Sequence, residues 1–361
     1  MTPQFHSLSV AQVLQETPDA ISILFDVPHQ LAPDYSFNQG QHLTLKATVA
    51  GQEVRRSYSI CSGVQEGQLK VAVKKVNGGV FSTWLHSQLK AGQTLEVMTP
   101  EGHFFTPLNA EQQKHYVAFV AGSGITPILS IIKTTLATEP KSQFTLVYGN
   151  RRQSVALFQE ELEDLKNTYL TRLRLINIFS REAQEAELLN GRLDGAKVQQ
   201  FLQTLIPAAS INEAFICGPN SMIDEVEATL QAAGVNKANI HTERFGVVQE
   251  GRPAVSHAED APEATITVIA DGNTRQVDYH KGAESILDVA LASGMNLPYS
   301  CKGGVCNTCR CKVLEGKVRM DRNFALEQHD VDQGFVLSCQ AHPLTEKVVI
   351  SFDGNYLKLE N

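Results

Sequence analysis

Four cysteines towards the C-terminus have the spacing of an iron–sulfur ligand set. They follow the pattern C-x4-C-x2-C, with a fourth cysteine after a gap of 29 residues, at positions Cys301, Cys306, Cys309 and Cys339. Two irons and two sulfides need four thiolates that converge from a loop wrapped closely around a small inorganic core. Gly303 and Gly304 allow the backbone to approach that core where a side chain would clash. The spacing therefore predicts a 2Fe-2S cluster.

A structural zinc ion is the alternative interpretation of the same cysteines, because zinc sites also use four thiolates. Such sites usually consist of two separated C-x2-C pairs, whereas Cys339 stands alone, and this favours the cluster. Cys311 is left over in the loop. It is interpreted as a small buried hydrophobic residue, and a role as a substitute ligand stays open.

Composition limits the classes of protein to which the chain can belong. The 361 residues are 42% hydrophobic and 19% charged, as in globular proteins with two or three domains. The net charge of -8 and the lack of a long basic run argue against a nucleic-acid partner. No apolar stretch reaches the roughly 18 residues of a membrane helix, and the N-terminus lacks a signal-peptide pattern. We therefore expect a cytoplasmic protein without a membrane partner, whose clustered cysteines bind metal.

The strand and helix patterns divide the chain into three domains and a linker. Residues 1–108 contain short alternating or β-branched runs separated by Gly and Pro, which predicts an antiparallel β-barrel. Residues 109–246 alternate strands with helices, which predicts an α/β domain with a parallel sheet. Residues 247–263 are polar and aperiodic and are interpreted as a linker. Residues 264–361 contain a hairpin around Asp271-Gly272, a helix, the cysteine loop and a closing strand.

Several short motifs lie at the ends of these predicted strands, and each alone has an ordinary interpretation. An Arg and a Tyr on an exposed strand are common, and glycines before a helix often mark only a tight turn. The order of the motifs is more informative than any one of them. Along the chain they are Arg56-Ser57-Tyr58-Ser59, Gly78-Gly79-Val80-Phe81-Ser82, Gly122-Ser123-Gly124-Ile125-Thr126-Pro127, Ser180-Arg181, Cys217-Gly218-Pro219 and Glu243-Arg244-Phe245.

In that order the motifs resemble those of the ferredoxin-NADP reductase superfamily, and residues 264–361 resemble a plant-type ferredoxin domain of the β-grasp fold. The resemblance implies a flavin domain, a nucleotide domain and a one-electron carrier. Arg56 would pair with the flavin pyrophosphate, Tyr58 would stack on the isoalloxazine ring, and Ser59 would hydrogen-bond the hydride-accepting N5. The other residues implied to contact FAD are Gly79, Val80, Phe81, Ser82, Thr126 and Phe245.

The same resemblance implies a site for NADPH. Cys217 would lie beside the nicotinamide C4 and Glu243 near the reacting rings, so that Ser59, Cys217 and Glu243 are the implied catalytic residues. Arg181 would hold the 2′-phosphate, with Arg151 or Arg152 assisting. The full set implied to contact NADPH is Gly122, Gly124, Thr126, Arg151, Ser180, Arg181, Cys217 and Gly218.

The C-terminal position of the ferredoxin domain narrows the resemblance further. The stretches RRSYSIC, AGSGITPILSIIKTTL and PYSCKGGVCNTCRC resemble the group of reductases that serves phenylacetyl-CoA epoxidase, in which the flavin is FAD rather than FMN. This implies electron transfer from NADPH through FAD and a 2Fe-2S cluster to a di-iron oxygenase component on another chain. The alternatives are an FMN or FAD reductase of another ring-hydroxylating oxygenase, a non-catalytic redox sensor and a zinc-stapled binding module.

Overall fold

A computed structural model gives the structure of the protein and describes residues 4–245 and 261–353. The chain divides into two compact units. The larger comprises His6–Val54 and Tyr58–Phe245, and the smaller comprises the described C-terminal residues together with Arg55–Ser57 and the described residues before His6. Most of the predicted linker at 247–263 lies outside the described residues, which resume at position 261. Within the described ranges, none of the helices is both long and apolar enough to cross a membrane.

The first part of the larger unit is a six-stranded sheet with the strand order β4-β3-β6-β1-β2-β5. Ile60, directly after β4, forms an antiparallel bridge with Val71 of β5, which joins the two edge strands and closes the sheet into a barrel. The predicted antiparallel barrel is therefore confirmed. Its elements are β1 (Phe5–Thr17), β2 (Ala20–Asp26), β3 (His42–Val49), β4 (Gln52–Ser59), β5 (Leu69–Lys74), α1 (Val80–Gln88) and β6 (Thr94–Met98).

The second part of the larger unit is a five-stranded parallel sheet, as predicted, with the strand order β11-β10-β7-β8-β9. The chain moves outward from β7 to β9 and then returns to the other side of β7 with β10. This reversal makes the carboxyl ends of β7 and β10 the expected ligand-binding edge. The elements are β7 (His115–Ala121), α2 (Ile125–Thr138), β8 (Gln143–Asn150), α3 (Gln159–Tyr169), β9 (Leu173–Phe179), α4 (Gly195–Thr204), β10 (Glu213–Gly218), α5 (Asn220–Ala232) and β11 (Ile240–Arg244).

One hydrophobic core continues from the barrel into the parallel-sheet domain. Cys61 and Phe104 of the first part belong to the same buried cluster as Ile128 and Ile132 of helix α2. Phe104 also meets Phe215 of β10 edge to face, with ring centroids 5.4 Å apart. Helix α2 is therefore the element that docks the parallel sheet against the barrel.

The smaller unit has a five-stranded mixed sheet with the order β13-β12-β18-β14-β16 and a two-stranded sheet of β15 and β17. The predicted hairpin is present, and Asp271 and Gly272 in its turn both have positive φ angles, of 52° and 74°. Helix α6 buries Ile286 and Leu287 in the core of this unit. The elements are β12 (Ala264–Ala270), β13 (Asn273–Tyr279), α6 (Ile286–Ala292), β14 (Arg310–Glu315), β15 (Val318–Met320), α7 (Gln328–Asp332), β16 (Phe335–Leu337), β17 (Ala341–Pro343) and β18 (Lys347–Ser351).

Candidate functional site

The loop after β7 and the end of β10 lie in close contact at the carboxyl edge of the parallel sheet. Gly122 has a φ angle of +56°, and the chain then passes through a short 3-10 turn into α2. A Cβ added at Gly124 would lie 2.3 Å from the carbonyl oxygen of Cys217, so only glycine allows the two backbones to approach this closely. Gly218 is similarly enclosed, because its Cβ would lie 2.7 Å from Cε of Met222. Thr126 is buried and donates its hydroxyl to the carbonyl oxygen of Ser123, which closes the turn.

The structure brings together the three residues that the resemblance implies to be catalytic. Cys217 and Glu243 are register partners on the parallel strands β10 and β11. Ser59, from the end of β4 in the barrel, donates a hydrogen bond from Oγ to Oε2 of Glu243 over 3.4 Å. The site is therefore assembled where the flavin-type barrel and the nucleotide-type sheet meet.

Burial determines the protonation of Glu243 and Cys217. It raises the pKa of the Glu243 carboxyl to about 8, and the hydrogen bond from Ser59 only partly opposes this shift. Burial also raises the pKa of the Cys217 thiol well above its usual value, and the nearby Glu243 adds to the shift. At neutral pH the site therefore holds a protonated carboxyl and an uncharged thiol.

The barrel offers groups that fit a flavin and its phosphates. On β4, Arg56 is exposed, Tyr58 is half-buried and Ser59 is buried. The Tyr58 ring stacks on Phe81 with centroids 6.3 Å apart, and this contact fixes the plane of the tyrosine ring. Phe81 itself is buried in the barrel core, so its backbone N–H rather than its ring is the group available to a ligand.

The start of helix α1 offers backbone N–H groups that could bind a phosphate. A Cβ at Gly79 would lie 2.7 Å from Oγ of Ser82, so a side chain at this position would obstruct the turn. The Ser82 hydroxyl accepts from the backbone N–H of Val76 and is occupied within the turn. Val80 is exposed at the first helical position, where backbone N–H groups have no partner within the helix. Phe245 follows β11 and is partly exposed, at the end of the first described range.

Two arginines that follow the neighbouring strands β8 and β9 form a positively charged surface patch. The backbone N–H of Ser180 donates to the Asn150 carbonyl at 3.0 Å, and that of Arg181 donates to the Arg151 carbonyl at 2.9 Å. These bonds extend the β8–β9 pairing past the strands and hold Arg151 and Arg181 side by side. Both arginine side chains are exposed. Two exposed guanidinium groups in this arrangement fit a phosphate.

The carboxylate that follows Arg181 in the sequence contacts the loop that carries Arg151 and Arg152. Glu182 follows Arg181 directly, and its Oε2 accepts the backbone N–H of Gln153 at 3.0 Å. The acidic side chain is therefore bound at the loop after β8, two residues from Arg151 in the sequence.

The four predicted cluster ligands converge in the smaller unit as two pairs. Sγ of Cys306 lies 3.1 Å from Sγ of Cys301, and Cys309 is hydrogen-bonded to Cys339. The hydrogen bond from the Cys306 thiol lowers the pKa of Cys301 to about 5, against the opposing effect of burial. The bond from Cys309 likewise lowers the pKa of Cys339. Two thiol pairs are the ligand set that two bridged irons require.

The backbone of the cysteine loop turns towards the sulfurs, as the glycines predicted. Lys302 and Gly304 have positive φ angles of 50° and 77°, and a Cβ at Gly304 would lie 3.0 Å from the Arg322 carbonyl oxygen. The N–H of Gly303 donates to Sγ of Cys301 at 3.3 Å. Within the described residues, no group of three or more His, Cys, Asp or Glu side chains is arranged around a single metal ion. Cys311 is fully buried, and burial raises the pKa of its thiol, as expected for a hydrophobic role.

Sequence reasoning missed a residue that supports this loop. Gln340, directly after the fourth cysteine, donates from Nε2 to the carbonyl oxygens of Lys302 at 3.0 Å and Cys339 at 2.9 Å. The same amide lies 3.6 Å from Sγ of Cys339. The sequence signal that could have identified Gln340 is its position directly after the predicted ligand Cys339. Thr308, between two ligands, is also buried, and its side chain is hydrogen-bonded to Cys306.

Comparison with known proteins finds three family matches along the chain. Residues 7–106 match the oxidoreductase FAD-binding domain family, residues 119–228 the oxidoreductase NAD-binding domain family, and residues 268–344 the 2Fe-2S iron-sulfur cluster binding domain family. Among solved structures, phthalate dioxygenase reductase superposes with a TM-score of 0.59 at 23% identity, covering 96% of this chain and 98% of that chain. This likeness concerns the fold.

Two curated relatives are similar over nearly their whole lengths. A subunit of the 1,2-phenylacetyl-CoA epoxidase from Escherichia coli (strain K12) is 50% identical over 97% of this chain and 98% of its own. The ferredoxin reductase component of 3-ketosteroid-9-alpha-monooxygenase from Rhodococcus rhodochrous is 35% identical over 96% of both chains. With FAD, NAD(P)H and 2Fe-2S domains in this order, the chain belongs to the family of flavin and iron–sulfur reductase components of multicomponent oxygenases.

Proposed function

We propose that this reductase serves a di-iron oxygenase that epoxidises phenylacetyl-CoA, and that it draws its electrons from NADPH. The observation that supports the choice of partner is the difference in similarity between the two relatives. Identity is 50% to the phenylacetyl-CoA epoxidase subunit and 35% to the 3-ketosteroid monooxygenase component, over a nearly equal share of the chain. We also propose that it works in the cytoplasm, because a reducing compartment suits a chain whose seven cysteines, all among the described residues, form no disulfide.

Residues of the barrel and of the parallel-sheet domain both contribute to the site where electrons enter the protein. Bound FAD supplies the conversion between a two-electron hydride and single electrons. Arg56 provides a cation for the flavin pyrophosphate, and Tyr58 provides a ring held flat against Phe81. Ser59 and Glu243 offer a hydroxyl and a protonated carboxyl at the reacting edge, while the small buried Cys217 leaves room for the nicotinamide.

The residues of the smaller unit provide the exit for electrons. Cys301, Cys306, Cys309 and Cys339 would hold the cluster, and the Gly303 N–H and the Gln340 amide would stabilise the sulfur charge. We propose the domain limits 1–108, 109–246 and 264–361, with 247–263 as the linker between electron entry and exit.

The choice of partner can be tested by reconstitution. The purified holoprotein would be combined with the oxygenase subunits of a phenylacetyl-CoA epoxidase, NADPH and O2, and the epoxide product measured. A 3-ketosteroid oxygenase component serves as the matched control, because its reductase is the second curated relative. Turnover with the epoxidase and not with the control supports the proposal. Turnover with the steroid oxygenase alone contradicts the choice of partner and leaves the reductase activity intact.

The preference for NADPH rests on the exposed side chains of Arg151 and Arg181 at two neighbouring strand ends. Loss of a charge-assisted hydrogen bond to phosphate costs about 1.5–3 kcal/mol, so Arg181→Ala should lower kcat/KM for NADPH by about tenfold to a hundredfold. The value for NADH should change little. Arg275→Ala, at an exposed position on β13, is the control. A higher kcat/KM for NADH in the wild type, or an unchanged value for NADPH in the variant, contradicts the proposal.

A further inference from the structure

A buried lysine links the barrel to the helix that begins at the nucleotide loop. Lys133 of α2 is only 6% exposed, and its Nζ lies 2.8 Å from Oε1 of Glu66 and 2.5 Å from Oε1 of Glu161. Glu66 belongs to a short 3-10 turn of the barrel domain, and Glu161 belongs to α3 of the nucleotide domain. Although burial would lower the pKa of Lys133, the two carboxylates outweigh that effect and raise it, so the side chain stays charged.

The surrounding contacts join the two domains closely at this point. Val64 donates its backbone N–H to Oγ1 of Thr134 at 3.1 Å, and Gln65 donates from Nε2 to the Thr134 carbonyl, also at 3.1 Å. A Cβ at Gly63 would lie 3.0 Å from Cβ of Lys133, so the barrel backbone passes directly over the lysine stem. Lys70 of β5 adds a second cation, 3.5 Å from Glu161. We call Lys133, Glu66, Glu161 and Lys70 the interdomain ion cluster.

The cluster lies on the same rigid element as the nucleotide loop. Helix α2 begins directly after Gly124, which is in contact with the Cys217 carbonyl, and Lys133 follows nine residues later. At 1.5 Å per residue, this corresponds to about 13 Å along the helix. A rotation of the barrel on α2 would therefore change the distance between Ser59 on the barrel and Glu243 and Cys217 on the sheet.

We propose that Lys133 is a positioning residue for hydride transfer: its bond to Glu66 fixes the barrel on helix α2 and thereby sets the distance from the nicotinamide to the flavin. The lysine contacts neither reacting ring. Its two carboxylate partners are partly exposed, with side-chain exposures of 37% for Glu66 and 30% for Glu161. Loss of the lysine therefore leaves carboxylates that water can reach, and the larger unit should still fold.

The test separates positioning from stability by following flavin reduction in the holoprotein. Lys133→Met and Glu66→Gln would be mixed with NADPH under anaerobic conditions, and the rate constant for flavin reduction and its isotope effect with C4-deuterated NADPH measured. A displacement of about 1 Å between reacting groups can cost up to a hundredfold in rate, so we expect a fall of about tenfold or more in both variants. The isotope effect should rise as the transfer becomes rate-limiting, and Lys133→Arg should restore most of the rate.

The control removes an ion pair that does not join the domains. Lys141 and Glu111 form an exposed pair at 3.1 Å, and Lys141→Met should leave the rate constant unchanged. If Lys133→Met and Glu66→Gln lower only the melting temperature and keep the wild-type rate constant and isotope effect, the cluster is merely structural and the proposal is wrong. The inference rests on hydride transfer between NADPH and the flavin. The test involves no oxygenase, so its outcome is independent of the proposed partner.

Discussion

Ser59 Oγ donates a hydrogen bond to Glu243 Oε2 over 3.4 Å, although 184 positions of sequence separate the two residues. The bond joins the last residue of a barrel strand to the edge strand of the parallel sheet. It therefore lies where a flavin held by the barrel and a nucleotide held by the sheet would meet. The buried carboxyl at this position should influence both stability and the pH dependence of electron entry.

The Glu243 carboxyl should make the larger unit less stable as pH rises. Its pKa is about 8 in the folded protein against 4.5 for an ordinary glutamate, because burial disfavours the charged form. The stabilisation is fully present below pH 4.5 and is lost as pH rises through 8. Glu243→Gln should remove this pH-dependent contribution to the stability of the larger unit. In thermal unfolding monitored by flavin release, the wild-type melting temperature should fall more between pH 6 and about pH 9 than that of the variant.

The same ionisation should appear in the kinetics of flavin reduction. The wild-type rate constant should change with an apparent pKa near 8, and the variant should be insensitive to pH in this range. Parallel pH profiles for the wild type and Glu243→Gln would show that the carboxyl is not the titrating group.

Gly124→Ala should disrupt the nucleotide loop, because the new Cβ would lie 2.3 Å from the carbonyl oxygen of Cys217. The backbone must move to relieve this overlap, and overpacking of this kind typically costs about 1–3 kcal/mol. We expect a higher KM for NADPH and slower flavin reduction, measured by steady-state and stopped-flow kinetics. Gly149→Ala is the control, because its nearest contact would be Leu193 Cβ at 3.4 Å. Equal kinetics for the two variants would mean that the close approach at Gly124 has no functional consequence.

Features fixed by local chemistry could be predicted from the sequence. The cysteine loop could be identified from the spacing of its ligands and from Gly303 and Gly304. Four thiolates around a small inorganic core permit few backbone arrangements. The apolar and β-branched runs Leu173–Phe179 and Thr265–Ile269 predict strands, and the structure has strands at Leu173–Phe179 and Ala264–Ala270. Both are rich in β-branched or other apolar residues, and such patterns depend little on distant contacts.

Features that depend on tertiary contacts were missed or placed wrongly. Apolar side chains recur at intervals of three and four residues from Val155 to Tyr169, which predicts one helix face, but α3 begins only at Gln159 because Phe158 has a φ angle of 59°. Strand β11 was not identified, since Ile240–Arg244 is short and polar and is held by pairing with β10. The interdomain ion cluster was also missed, because its residues come from distant segments of the chain and no local pattern relates them.

Cys306→Ser should separate electron entry from electron exit. Cys306 lies 3.1 Å from Cys301, and its loss would leave one iron with an incomplete pair of thiolates. NADPH should still reduce the flavin at the wild-type rate, because Ser59, Cys217 and Glu243 lie in the other unit. Reduction of the oxygenase component and the electron paramagnetic resonance signal of the reduced cluster should be lost. If flavin reduction disappears as well while the fold is intact, the order flavin then cluster is wrong.

Gln340→Leu should make the cluster harder to reduce and easier to lose. The Gln340 amide joins the carbonyls of Lys302 and Cys339 and approaches Sγ of Cys339, so it both clamps the loop and withdraws charge from a ligand. Without that donor the thiolate carries more negative charge, which disfavours the added electron and lowers the reduction potential. A redox titration monitored by electron paramagnetic resonance would measure the shift, and bleaching with a chelator would measure cluster loss. Gln333→Leu, at an exposed position outside the loop, should match the wild type in both experiments. An unchanged potential and bleaching rate in Gln340→Leu would show that the amide only fills space beside the cluster loop.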